Sequence, residues 1–259
     1  MLVTKRLRIY VMGSVTIEHS HGLIEQGAFP GRQGLLAFAR LLLTREAAVS
    51  RSELAEVLWP EEVPRAWDSA LNAIVSKLRL LLLRAGLDKT TSLGTALGCH
   101  QLNLPANTWV DIEVGTDSLH EAEGLFALGR YRDAWSAAQV AYHILKRPFL
   151  AGETSSTWAL RQRERLAGVY ARAGECLAKI YIWNGEPSVA ADVAEQVVAA
   201  APFRETAYQQ LMRAHVAAGN RAEALNVYER CRKTLSHHLG VSPSAETIAT
   251  HAEILKHGK

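Results

Sequence analysis

A glycine followed five residues later by an alanine recurs three times in the second half of this sequence. The three pairs are Gly129 and Ala134, Gly185 and Ala190, and Gly219 and Ala224. The second and third glycines are 34 residues apart, which is the period of the tetratricopeptide helix-turn-helix unit. The repeated spacing therefore predicts pairs of antiparallel helices with a glycine at each turn.

Placing these glycines at the turns also predicts which side chains pack between the helices. The predicted packing residues are Tyr131, Leu177, Tyr181, Ala194, Tyr208, Leu211 and Tyr228, together with the three alanines. Alanine at a helix crossing lets two backbones approach closely, and Pro202 is expected to end the second unit. We therefore predict an all-α, tetratricopeptide-like domain over residues 113–259.

The first part of the chain has a different pattern. Residues 7–18 alternate apolar and polar side chains around Gly13, and a further turn is expected near Gly22, which together predict a small sheet. Residues 32–43 predict a first helix. Ser50 and Glu53 form a predicted capping box at the start of a second helix, which stops at Pro60.

A third helix is predicted to start at Pro64 and to run through residues 64–83. One face is apolar and comprises Trp67, Leu71, Ile74, Leu78 and Leu81. The opposite face carries Arg65, Ser69, Asn72, Ser76 and Arg79, with Lys77 on its flank. Short and cationic hydrogen-bonding groups of this kind suit contacts with base edges and phosphates. An ordinary solvated helix face is the alternative interpretation.

The surroundings of the third helix favour the first interpretation. Residues 90–104 combine β-compatible side chains with Gly94 and Gly98, which predicts a hairpin. Three helices followed by a hairpin form a winged helix-turn-helix, whose third helix enters the major groove of DNA. We therefore predict a winged helix-turn-helix DNA-binding domain over residues 1–112 and a mainly α fold for the chain.

This interpretation assigns a role to each candidate residue. Asn72 and Arg79 are expected to face base edges, since amide and guanidinium groups suit adenine and guanine respectively. The residues expected to contact phosphates are Arg65, Ser69, Ser76 and Lys77. Arg32 and Arg51, at predicted helix starts, are secondary candidates.

Charge agrees with this assignment. The net charge is +3, and the first 110 residues hold 12 Lys and Arg against 9 Asp and Glu, whereas the remainder is balanced at 17 and 17. The whole positive excess therefore lies in the predicted DNA-binding part, although it is modest for a nucleic-acid binder.

Several other classes of protein are disfavoured. Cys99, Cys176 and Cys231 are far apart and form no CxxC pair, so neither a disulfide scaffold nor a zinc site is expected. The pair His237 and His238 has no ligand partner at metal-binding spacing. The sequence has no GxSxG, HExxH or phosphate-loop motif, so we expect no catalysis, metal or cofactor. With no apolar run long enough to span a membrane, a cytoplasmic location is expected.

The order of these elements resembles the Streptomyces antibiotic regulatory protein family. The motifs that carry the resemblance are PGRQGLLAFARLLL at 30–43, VSRSELAEVLWPEEVP at 49–64, ALNAIVSKLR at 70–79 and, most specifically, the stretch at 202–244 that ends in LGVSPS. The resemblance implies an OmpR-type winged helix, a bacterial transcriptional activation domain and an actinobacterial origin. It also implies an activator that binds direct repeats in double-stranded DNA as a homodimer and recruits RNA polymerase holoenzyme.

This sequence departs from the family pattern at three places. Asp68 and Leu80 occupy positions where the family commonly has arginine, and the hairpin segment at 96–100 lacks the usual arginine and tyrosine. Each lost cation removes one potential phosphate contact. The alternative function is therefore a tetratricopeptide-type interaction regulator with weak or lost DNA binding.

The sequence leaves a small-molecule effector open. Trp109 and Trp135 lie around the predicted seam between the two domains, where aromatic residues are typical of ligand pockets. The alternative is that these tryptophans pack the two domains together.

Overall fold

The computed structural model describes residues 7–88 and 92–256 and contains ten α-helices and seven short strands within them. The chain divides into two units. The first comprises Met1–Val114 and Arg147–Glu164, and the second comprises Gly115–Lys146 and Arg165–Lys259. The predicted fold class, a winged helix-turn-helix followed by an all-α tetratricopeptide-like part, is confirmed.

The first unit begins with a four-stranded sheet. Its strands are β1 (Arg8–Tyr10), β2 (Thr16–His19), β3 (Gly22–Glu25) and β7 (Trp109–Val110), in the order β3-β2-β1-β7. β1 and β2 are antiparallel, whereas β1 and β7 are parallel. The strands before and after Gly13 were predicted. β7 was not, because two residues in a segment that contains Pro105 give no strand periodicity.

A buried carboxylate holds this sheet together. Asp111 accepts hydrogen bonds of 2.9 and 2.8 Å from the backbone N–H groups of Val11 and Met12, and one of 2.7 Å from the N–H of Ile112. Burial raises the pKa of Asp111, against the opposing effect of these N–H donors. Asp111 thereby satisfies backbone donors that follow β1.

Three helices follow the sheet: α1 (Gly31–Leu43), α2 (Arg51–Leu58) and α3 (Trp67–Arg84). The predicted capping box is confirmed, since Ser50 accepts from the Glu53 N–H while the Glu53 side chain accepts from the Ser50 N–H. The predicted start of α3 at Pro64 was wrong by three residues. Residues 64–66 form a tight turn instead, closed by a 2.9 Å bond from the Trp67 N–H to the Pro64 carbonyl.

The predicted hairpin forms the wing. Strands β5 (Leu93–Ala96) and β6 (Cys99–Leu102) are antiparallel, and β4 (Val49–Ser50) pairs with β6 to complete a three-stranded sheet. The first two residues of the predicted hairpin, 90 and 91, lie outside the described residues. Because β4 immediately precedes α2, the wing is attached directly to the start of that helix.

The segment Arg147–Glu164 completes the first unit. Phe149 is buried and forms a β-bridge with Met12. Arg163 donates hydrogen bonds of 2.7 and 2.6 Å to the carbonyls of Phe149 and Leu150. Arg163 therefore ties the end of this segment to the carbonyl groups near its start.

The second unit is helical. Its elements, two of which begin in the first unit, are α4 (Asp111–Ala127), α5 (Tyr131–Leu145), α6 (Thr157–Trp183), α7 (Pro187–Ala200), α8 (Glu205–Ala217), α9 (Arg221–Leu239) and α10 (Ala245–Lys256). Over the described residues, every helix is too short or too polar to cross a lipid bilayer.

The three predicted turns share one hydrogen-bonding pattern. Gly129, Gly185 and Gly219 have φ values of +73°, +80° and +80°, in the left-handed region that favours glycine. In each turn the N–H of the residue after the glycine bonds to the carbonyl five residues earlier, as in a Schellman motif. Ala134, Ala190 and Ala224 are fully buried, which confirms the predicted close helix packing.

The LGVSPS stretch connects α9 to α10. Gly240 ends α9 with a left-handed φ of +68°. Ser244 then donates hydrogen bonds of 2.8 and 2.9 Å from its N–H and hydroxyl to Glu205 at the start of α8. Thr247 is fully buried and accepts from Gln209. This motif therefore anchors the last helix to α8.

Candidate nucleic-acid interface

Helix α3 has the two faces that its sequence predicts. Leu71, Ile74, Leu78 and Leu81 are buried, and Trp67 is partly buried. On the other face, the side chains of Arg65, Ser69, Asn72, Ser76 and Lys77 are exposed, whereas Arg79 is partly buried. The six main candidates therefore lie on or next to one helix, and Arg51 joins them from the start of α2.

Arg51 connects the first turn of α2 to the first turns of α3. Its Nε and Nη2 donate hydrogen bonds of 3.0 and 2.6 Å to Asp68 Oδ1, and Nη2 donates a further 3.1 Å bond to the Asp68 carbonyl. Its Nη1 donates to Asn72 Oδ1 at 3.0 Å and lies 3.4 Å from His100 Nε2. These five contacts match the five N–H donors of a guanidinium. Arg51 thus holds the helices together and has no donor left for a phosphate in this arrangement.

Arg79 connects α3 to the wing in a similar way. Its Nε donates to the Leu93 carbonyl at 3.0 Å, and its Nη2 donates to Thr95 Oγ1 at 2.8 Å. Thr95 Oγ1 also lies 2.8 Å from His100 Nδ1. Arg79 has no carboxylate partner among the described residues, so its positive charge stays available at the helix surface.

His100 stands between the two arginines. The residue is buried, and burial together with the charges of Arg51 and Arg79 lowers the pKa of its imidazole. A neutral ring is therefore expected at neutral pH. Because Arg51 only donates, Nε2 must accept and the proton must reside on Nδ1, which then donates to Thr95. We call the set Asp68, Arg51, His100, Thr95 and Arg79 the clamp.

Four candidate side chains make neither a hydrogen bond nor an ion pair with any described residue. They belong to Arg65, Ser69, Ser76 and Lys77. Lys77 on α3 and Arg65 in the turn before it thus add two further cations that no described carboxylate neutralises. A helix that carries cations and hydroxyl groups on one exposed face is suited to contact the phosphates of a duplex.

Arg32 belongs to a different group of residues from the clamp. Its Nε and Nη2 donate hydrogen bonds of 2.8 and 3.2 Å to Glu153. Burial alone would raise the pKa of Glu153, but Arg32 and the N–H groups of Ser155 and Ser156 outweigh it and lower this pKa to about 2. Such a shift stabilises the fold above pH 4.5, and this stability is lost as the pH falls toward 2. Arg32 therefore ties α1 to the segment Arg147–Glu164.

The wing ends in an exposed apolar residue. Leu97 and Gly98 form the two-residue turn between β5 and β6, with φ values of +50° and +73°. Positive φ at both residues is typical of a type I′ turn, where asparagine and glycine are favoured. The Leu97 side chain is fully exposed. The wing tip therefore exposes a leucine to solvent. The backbone strain at Leu97 is not offset by burial of its side chain.

Sequence reasoning missed Asp68 and His100 as parts of this site. From the sequence alone Asp68 is only a lost cation, yet its carboxylate pairs with Arg51 at 2.6 Å. His100 lies two residues before buried Leu102 on a short strand, and this alternation was the one available signal that it points inward. Neither contact follows from spacing alone, because Arg51 and His100 are 49 residues apart.

Trp109 and Trp135 lie in different units. Trp109 is on β7, and its ring centroid is 5.1 Å from that of Tyr10. Trp135 is on α5 and is exposed. The effector pocket suggested for these residues stays a prediction.

Comparison with known families connects this geometry to a class of proteins. The family described as "Bacterial transcriptional activator domain" matches residues 110–255, which is more than half of the sequence. The chain belongs to this bacterial transcriptional activator domain family. Its matched region covers the helical repeats and ends within α10, so the predicted repeats and the family assignment agree.

Relatives of this family member are transcriptional regulators. The transcriptional regulatory protein EmbR of Mycobacterium tuberculosis is 26% identical over 256 residues, which cover 98% of this chain and 64% of EmbR. The regulatory protein AfsR of Streptomyces griseus is 27% identical over 96% of this chain and 24% of AfsR. The transcriptional regulator RedD of Streptomyces coelicolor is 27% identical over 96% of this chain and 70% of RedD. These matches confirm the resemblance to the Streptomyces antibiotic regulatory proteins.

A solved structure of a relative has the same fold as this chain. The structure of Mycobacterium tuberculosis EmbR in complex with a low-affinity phosphopeptide matches with a TM-score of 0.88 at 24% identity. The match covers 98% of this chain and 66% of the EmbR chain. This chain therefore spans about two thirds of the length of EmbR and shares its fold over that length.

Proposed function

We propose that this chain is a sequence-specific, DNA-binding transcriptional activator. In this proposal, residues 1–112 form the DNA-binding domain and residues 113–259 the activation domain. The protein binds direct repeats in double-stranded DNA as a homodimer and recruits RNA polymerase holoenzyme. The first unit binds the DNA duplex, and α3 enters the major groove.

The observation that carries the DNA-binding part is the exposed face of α3. Lys77 and Arg79 provide positive charge there, Ser69 and Ser76 provide hydroxyl groups, and Arg65 adds a cation in the turn just before the helix. The clamp fixes α3 against both α2 and the wing, so this face is held in place before any ligand binds. Preorganised groups lose less conformational freedom on binding, which favours affinity.

Family membership supports the activation part. The bacterial transcriptional activator domain covers residues 110–255, and the relatives are regulators of transcription. Recruitment of RNA polymerase and the direct-repeat arrangement are inferred from the resemblance to the Streptomyces antibiotic regulatory proteins.

The test is selection of genomic DNA fragments by the purified full chain at low and at near-physiological salt, followed by sequencing. We expect retained fragments that share a short direct repeat. In vitro transcription from such a fragment, with and without this protein, then measures the recruitment of RNA polymerase. Retention of random DNA that is lost as salt rises would leave only a general attraction to phosphates.

Substitution of Lys77 tests whether α3 faces the duplex. Lys77→Ala removes one phosphate contact, so we expect weaker binding to all sequences and a salt dependence reduced by about one ion. Lys233→Ala is the matched control, because Lys233 is also exposed, on α9 of the second unit. If both variants bind with equal salt dependence, Lys77 does not contact a phosphate.

A second function is favoured by one observation. Helix α3 carries Asp68, whose side chain is 62% exposed, and the wing tip presents Leu97 in place of a cation. Both features would weaken attraction to phosphates. A full chain that retains no DNA even at low salt would favour a protein-interaction regulator, for which tetratricopeptide-like arrays provide the surface.

A further inference from the structure

Asp68 holds the guanidinium of Arg51 against the protein. Its carboxylate oxygen Oδ1 accepts hydrogen bonds of 3.0 and 2.6 Å from Nε and Nη2 of Arg51, and its backbone carbonyl accepts a third of 3.1 Å from Nη2. The remaining nitrogen, Nη1, contacts Asn72 and His100. The ion pair therefore cancels the charge of Arg51, and the protein engages the donors with which Arg51 would bind a phosphate.

The pair lies where a helix-turn-helix approaches DNA. Arg51 is the first residue of α2, and Asp68 is in the first turn of α3. In such a fold the N-terminal residues of the recognition helix contact base edges, while the helix before it crosses the phosphate backbone. The unpaired N–H groups of a first helical turn also favour anions. An Arg51 that is released from Asp68 is therefore well placed to bind a phosphate.

The two members of the pair differ in exposure. The side chain of Asp68 is 62% exposed, whereas that of Arg51 is only 19% exposed. Lys77 and Arg79 have no carboxylate partner among the described residues, so their charges stay available to phosphates. Arg51 is distinguished from these two cations by its carboxylate partner.

We propose that Asp68 keeps Arg51 away from the DNA backbone and thereby lowers the affinity of this protein for every duplex, an inference that rests on the DNA-binding function proposed above. Asp68 is a positioning residue, because it acts on the duplex through Arg51. Phosphate contacts carry no sequence information, so the effect is the same on all sequences. Each phosphate contact adds about 0.9 to the slope of log affinity against log salt.

The experiment measures the affinity of the full chain, of Asp68→Ala and of Asp68→Asn for a random duplex and for a selected target. Both variants leave the charge of Arg51 unneutralised, so we expect tighter binding to both duplexes. Between about 50 and 200 mM salt, their affinity should fall about 3.5-fold more than that of the wild type. Asp192→Ala is the control, because it removes an exposed carboxylate from α7 of the second unit and changes the net charge equally.

A double variant shows whether Asp68 acts through Arg51. Asp68→Asn combined with Arg51→Gln removes both charges of the pair, so we expect the salt dependence to return to that of the wild type. A steeper dependence that persists in the double variant would mean that Asp68 acts by its own repulsion of phosphates, which overturns the role of Arg51. Thermal unfolding establishes that each variant is folded. Asp68→Asn, which keeps an oxygen for Arg51, decides the matter if Asp68→Ala is not.

The outcomes separate this inference from the proposed function. Equal salt dependence of the wild type and the Asp68 variants, or a gain confined to one sequence, overturns the role of Asp68 while DNA binding stands. If neither the wild type nor any variant binds a duplex at the lower salt concentration, the proposed function is overturned and this inference with it.

Discussion

Single residues determine the geometry of the candidate interface more than the composition of its helix does. Arg51 uses its five donors on Asp68, Asn72 and His100. An arginine at a helix start was expected to bind phosphate, but its guanidinium is saturated by protein groups. The effect of Asp68 on the charge of this surface also differs from what the sequence suggests. Asp68 neutralises Arg51, whereas Lys77 and Arg79 have no carboxylate partner among the described residues.

The lowered pKa of His100 predicts a dependence of stability on pH. A histidine whose pKa falls on folding binds fewer protons in the folded than in the unfolded chain. The free energy of unfolding should therefore be undiminished above the ordinary value of 6.5 and should decrease as the pH falls below it. His100→Gln, which stays neutral, should flatten this decrease between about pH 6.5 and 5.

Urea unfolding at a series of pH values measures this effect. His237→Gln is the control, because it removes an exposed imidazole on α9 that lies outside the clamp. An identical slope in the wild type and in His100→Gln would show that His100 is not neutralised by folding.

At the scale of elements, the sequence predicts what depends on local pattern. The capping box at Ser50, the apolar face of α3 and the glycine turns of the helical repeats all have a fixed spacing, and the structure confirms them. Strands β4 and β7 have two residues each, too few for a period, and they form because partners distant in the sequence pair with them. The clamp was not predicted for the same reason.

The wing tip leads to a prediction about stability. Leu97 adopts a φ of +50° and is fully exposed, so it accepts backbone strain without burying its side chain. Leu97→Asn should raise the free energy of unfolding by about 1 kcal/mol, because asparagine tolerates the left-handed region. Leu97→Val is the opposing control, since a β-branched residue fits this region worse and should lower stability.

Chemical denaturation of the full chain compares the three proteins. Equal stability of wild type and Leu97→Asn would mean that the turn relaxes without cost in solution. If Leu97→Asn is more stable but binds DNA less well, the leucine serves the duplex rather than the fold.

At the scale of the whole molecule, the first unit is discontinuous in sequence. Its second part, Arg147–Glu164, provides the buried residues Phe149, Leu150 and Trp158 and the Glu153 carboxylate that pairs with Arg32. The sequence predicts a domain boundary near residue 112, because the pattern of helical repeats begins after it. That boundary omits a segment whose place in the first unit depends on tertiary contacts alone.

We therefore expect a fragment of residues 1–112 to lose cooperative unfolding. The fragment lacks three large apolar side chains, each of which contributes about 1.5–3 kcal/mol when buried. Calorimetry of this fragment and of the full chain checks the expectation. A fragment that melts as sharply as the full chain, and at the same temperature, would show that Arg147–Glu164 is dispensable.

The discontinuity of the first unit also has a consequence for synthesis of the chain. A ribosome adds roughly 5 to 20 residues per second, so the 50 or so residues between 114 and 164 take about 3 to 10 s to make. During that interval Arg32 has no Glu153 and Met12 has no Phe149 to pair with. The first unit cannot reach its complete structure until part of the second has left the ribosome, which couples completion of the first unit to synthesis of the helical repeats.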